Sequence, residues 1–157
     1  MENPFATPQV KDDWSEALKT LELNLQTPLI PGEAANWAAK VQVACDELAM
    51  RMRALIHVQH REQFEEMISN DPQKVRQVEG LRDEDYHLVR QFAKLRTNAA
   101  RLRQRAELAG GDEAPLKENL EDLIEEGLAC IVAFRKQEVR IQNWFMESLS
   151  RDRGDVD

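Results

Sequence analysis

Residues 81–106 read LRDEDYHLVRQFAKLRTNAARLRQRA. Leu81, Asp85, Leu88, Phe92, Leu95, Ala99, Leu102 and Ala106 recur every third or fourth position without a slip. That period places them on one stripe of a long helix. Asp85 alone breaks the stripe, a carboxylate in a row that otherwise faces a core. Covering this stripe and accommodating Asp85 are the two demands the rest of the chain must meet.

The chain has 157 residues, enough for one domain with a substantial core. Gly and Pro number six each, and strand-like alternation is nearly absent, so the composition is that of an all-α protein. The net charge of −8 opposes general nucleic-acid binding. The N-terminal thirty or so residues lack a basic start and an apolar run, and no segment approaches membrane-spanning length. These features predict a cytoplasmic chain with no membrane or nucleic-acid partner. Cys45 and Cys130 both fall within helical pattern beside apolar residues and predict buried, reduced thiols that act as small hydrophobes.

Working outward, residues 1–12 carry Pro4 and Pro8 and read as a flexible arm. A first, shorter helix is predicted over 13–26 with Trp14, Ala17, Leu18, Leu21 and Leu25 inward; Pro28 and Pro31 end it. A second is predicted over 33–69. Its stripe of Ala34, Trp37, Val41, Cys45, Leu48, Met52 and Leu55 turns polar at Gln59 and Gln63. Asn70-Asp71-Pro72 is a break and a start signal for the helix ending near Leu108. Gly110-Gly111 terminates that helix. A fourth is predicted over 115–150, with Leu116, Leu120, Leu123, Gly127, Ile131, Phe134, Glu138, Ile141 and Phe145 inward. Gly127 at mid-helix implies the close approach of a bulky neighbour. Residues 151–157 read as a flexible tail, leaving 13–150 as a single domain.

Short connections between long helices predict an antiparallel up-down four-helix bundle. Matching heights across the turns brings the polar intrusions to one level: Gln59 with Gln63, Asp85, and Glu138 with Gln137. Two carboxylates buried together need a compensating proton or cation, and Arg82 and Arg135 are the nearby candidates. His57, His60 and His87 occupy no inward stripe position and read as solvated surface groups, with a zinc-binding cluster of His57, His60 and a Glu as the alternative. The basic run Arg90, Lys94, Arg96, Arg101, Arg103 and Arg105 faces an acidic one, Glu113, Glu118, Glu121, Asp122, Glu125 and Glu126. Cross-helix pairs such as Arg101–Asp122 and Arg105–Glu118 account for both runs. No nucleophile–base pair or phosphate-binding glycine loop is present, so no catalytic residue is assigned.

Over residues 14–157 the pattern resembles the hemerythrin-like (HHE) four-helix bundles. The family's H-x-x-x-E on the second helix aligns with Gln59 and Gln63. Its L-x-x-E-H-x-x-L aligns with Leu81, Glu84, Asp85 and Leu88, so Asp85 stands in place of a histidine. Its fourth-helix His, followed by Glu four residues on, aligns with Gln137 and Ile141, with Glu138 adjacent. The Pro-containing linker before Trp37 and the Gly154-Asp155 ending add to the likeness. The resemblance implies a bundle whose di-iron ligands have been replaced, with no metal and no cofactor. The function expected is then non-enzymatic binding of a protein partner or a second copy. Two alternatives stand beside it: a protein that binds metal through inward carboxylates, and a homo-oligomeric assembly protein. The inward layer of Gln59, Gln63, Asp85, Gln137 and Glu138 is the candidate ligand-binding region.

Overall fold

The computed structural model describes residues 9–154, with side chains over 14–151. Among the described residues every regular element is helical: α1 (Gln9–Gln26), α2 (Ala34–Ala54), a π-helical turn (Leu55–His60), α3 (Arg61–Asn70), α4 (Val75–Leu108) and α5 (Lys117–Gly154). α2, the π-turn and α3 follow one another without a break, so four helical rods pack together. α2 lies against α1 and α4, and α5 against α4, α1 and α3.

The predicted stripes form the core. Leu81, Asp85, Leu88, Phe92, Leu95, Ala99 and Leu102 of α4 are all buried. The core has two parts. The larger holds the α1 and α2 stripes with Leu88 to Leu102 and Leu116 to Phe134. The smaller holds Phe64, Met67, Val78, Leu81 and Ile141, flanked by Ile68, Trp144 and Phe145.

The breaks are chemically specified. Asp71 Oδ1 accepts from the Gln73 N–H at 3.2 Å, and Pro72 opens the short 3₁₀ turn before α4. Gly110 and Gly111 take φ of 61° and 99°, the left-handed conformations that stop α4. In the turn that follows, Glu113 reaches across to the start of α2. Its Oε1 accepts from the Ala34 N–H at 2.9 Å and its Oε2 from the Gly32 N–H at 3.1 Å. A carboxylate there satisfies amides that a helix start leaves unpaired, and it suits the positive end of the helix dipole.

Gly127 is explained by its neighbour. A Cβ there would stand 2.6 Å from Leu25 Cδ1, so glycine lets α1 and α5 approach. The ends of the domain differ from the expected limits. α1 begins at Gln9, so only residues 1–8 of the expected arm lie outside the described residues. α5 runs to Gly154, and Arg151 is tied down by Asp71 at 2.7 Å; of the expected tail, 155–157 lie outside the described residues.

Candidate functional site

The π-turn decides the site. Along the second rod the buried positions step Leu48, Met52, Leu55, then His60, Phe64 and Met67. The step from Leu55 to His60 is five residues, where an unbroken α-helix would take four. A π-helical turn carries the extra residue and rotates everything after it about the axis. His60 thereby turns inward, and its ring is 1% exposed. The constant-period expectation that His60 faces outward is corrected on this ground.

His60 meets both acidic intrusions. Its Nδ1 lies 2.8 Å from Asp85 Oδ2, and its Nε2 lies 2.5 Å from Glu138 Oε1. Both carboxylates are buried. With a carboxylate at each nitrogen, the ring satisfies both partners only as an imidazolium donating from both N–H groups. Burial pushes the imidazole down, but its hydrogen bonds to Asp85 and Glu138, together with their charges, outweigh it. The ring is held up at about 9.

Gln137 completes the layer. Its Nε2 donates to Asp85 Oδ1 at 3.1 Å and to the Leu81 carbonyl at 2.8 Å. Phe64 packs beside the His60 ring at 5.6 Å between centroids, and the Arg82 guanidinium stands over the Phe64 ring, 5.7 Å from its centroid. On three of the four rods a polar residue separates the two cores. His60 lies between Leu55 and Phe64, Asp85 between Leu81 and Leu88, and Glu138 between Phe134 and Ile141.

Of the expected layer, Asp85, Gln137 and Glu138 are thus brought together. Gln59 is only half-buried and makes no side-chain hydrogen bond to the layer. Gln63 is half-buried, and its Oε1 has no hydrogen-bond partner among the described residues. The rotation after Leu55 takes both amides off the inward line that the constant period gives them. The compensating cation is His60, not Arg82 or Arg135. Arg82 covers Phe64, and Arg135 pairs with Glu22 of α1.

The phase slip leaves a trace in the sequence. Phe64 and Met67 cannot share a stripe with Leu55 at a constant period, and stepping back four from Phe64 gives His60. His57 and His87 are exposed, as the stripes predict.

A cavity of about 140 Å³ opens beside Asp85, lined by Ile56, His57, Arg61, Phe64, Arg82 and Tyr86. The cysteines are both free. Cys45 is buried, and burial foremost, with the Asp46 charge behind it, pushes its thiol up to about 12. Cys130 is half-buried and is likewise raised by burial. Neither presents a ready thiolate.

The expected cross-helix ion pairs are mostly absent among the described residues. Arg96 pairs with Asp46 of α2, Arg103 with Glu107 of its own helix, and Asn98 bonds Glu126 at 3.2 Å. Arg101, Arg105 and Asp122 line one cleft between α4 and α5 without closing to an ion pair.

A di-iron centre of the hemerythrin-like kind does not fit these donors. One imidazole and two carboxylates meet here, and each ring nitrogen is already directed at a carboxylate oxygen. An imidazolium has no lone pair for a metal. No group of three or more His, Cys, Asp or Glu among the described residues is arranged to hold a metal ion. No protein-family model, curated protein or solved structure matches the chain.

Proposed function

We propose that the chain is a non-enzymatic helical-bundle interaction protein, an antiparallel up-down bundle of hemerythrin-like design in which a closed ionic clasp stands where that family places metal ligands. The observation that supports this most is the saturation of His60. A general base needs a free lone pair, and a metal ligand needs one too. His60 offers neither while both nitrogens are held by buried carboxylates. The clasp instead ties the second rod to α4 and α5 and sets their heights. Buried polar groups of this kind best serve to fix one arrangement of packed helices. The work of the protein then falls to its outer faces.

The test is metal analysis of the full chain purified without added metal. The proposal expects metal well below one equivalent, with the fold and melting temperature unchanged by chelator. Stoichiometric iron or manganese would overturn it and promote the carboxylate metal site in its place.

A further inference from the structure

Between Glu118 and Asn143 the outward face of α5 is divided by charge. Its first half exposes Glu118, Glu121, Asp122 and Glu125. Its centre exposes Ala129 and Val132, and its second half exposes Lys136, Val139, Arg140 and Asn143. Among the described residues none of these side chains makes an ion pair. The helix dipole does not account for the division. Its influence is confined to the first and last turns, and Lys136 and Arg140 lie more than three turns from Gly154. Val132 and Val139, with Lys136, Arg140, Asn143 and Trp144, also line a shallow depression in this face.

The geometry points to a second copy of this chain as the occupant of that face, with the two α5 helices antiparallel. Set Ala129 of one copy opposite Val132 of the other. Lys136 then faces Glu125 of the second copy, Arg140 faces Glu121, and Asn143 faces Glu118. The two-fold axis repeats every pair, as a closed dimer requires. A parallel pairing would set acid against acid and base against base. Small side chains at the centre let the helices approach there. The charged contacts, from Glu121 to Arg140, extend over roughly 28 Å at the helical rise. A single helix pair is at the small end of specific interfaces, so the dimer belongs to the micromolar range. Its formation weakens with added salt, because the pairs are exposed.

This inference rests on the proposed role as an interaction protein. A metal-free chain that stays monomeric would defeat the dimer and leave that role standing. The experiment is sedimentation equilibrium of the full chain at about 100 µM and about 50 mM salt. It includes the double variants Lys136→Glu/Arg140→Glu and Glu121→Lys/Glu125→Lys. All four positions are exposed, and circular dichroism confirms folding. The wild type is expected to dimerise, and each variant alone to weaken the dimer at least tenfold. An equimolar mixture of the two variants is expected to restore it, since every pair at positions 121, 125, 136 and 140 then joins opposite charges. A wild type that remains monomeric, a dimer unaffected by either variant, or a mixture that does not recover would each overturn the proposal.

Discussion

Nε2 of His60 stands 2.5 Å from Oε1 of Glu138, joining residues 78 positions apart in the chain. The same ring holds Asp85 on its other nitrogen at 2.8 Å. One imidazolium therefore spans three rods at the level where the two apolar cores meet.

The protonation of this ring sets a pH dependence. The folded ring titrates near 9, against 6.5 for an ordinary histidine. The folded state therefore binds the proton more tightly than the unfolded chain. The stabilisation is complete below about pH 6.5 and is lost as pH rises to about 9. Its size is on the order of 3 kcal/mol. Urea unfolding at a series of pH values should show this decline, and His60→Gln should remove most of it. A wild type equally stable at both ends of the window would contradict the account.

Removing one member of the clasp should cost more than removing all of it. His60→Leu leaves two carboxylates facing each other without a cation, and a loss of about 3–5 kcal/mol is expected. Adding Asp85→Leu and Glu138→Leu to it should recover much of that loss, because the charged partners leave together. Gln59→Leu, outside the network, should change stability by no more than about 0.5 kcal/mol. Denaturant midpoints for the four proteins decide the matter.

Much of the fold is legible in the sequence, and the reason the rest is not is local. The α4 stripe from Leu81 to Leu102 keeps a strict helical period, and every member is buried as that period requires. The stops at Asp71-Pro72 and Gly110-Gly111 follow from capping and from the left-handed conformation glycine tolerates. Asp85, Gln137 and Glu138 stand out as polar residues in apolar rows. His60 does not, because its inward direction depends on one extra residue in a π-turn whose only trace is the shifted phase of Phe64 and Met67. The charge pairing was legible only in part. Asp46 and Asn98 take partners that the two charged runs alone do not suggest.

Gly127→Ala should test the approach of α1 to α5. Alanine gains about 1 kcal/mol of helix propensity over glycine. The added methyl collides with Leu25, which is 1% exposed and has little room to move. Overpacking of this kind costs about 1–3 kcal/mol, so a net loss of about 1 kcal/mol is expected. Pairing it with Leu25→Ala makes room for the methyl, so the two losses should be less than additive in thermal unfolding.

Glu113→Ala should loosen the start of α2. The substitution removes both acceptors from the Gly32 and Ala34 amides. A loss of about 1–2 kcal/mol is expected, with faster hydrogen exchange at Ala34. Glu113→Gln keeps an acceptor and should lose less.

The central claim is that His60 is a doubly bonded imidazolium closed off by Asp85 and Glu138. Nitrogen-15 NMR of the histidine side chains across pH reads it directly. Both His60 nitrogens should carry protons at pH 7.5, with a titration near 9. A His60 ring that is neutral at pH 7.5, with one nitrogen free of its proton, would contradict the account.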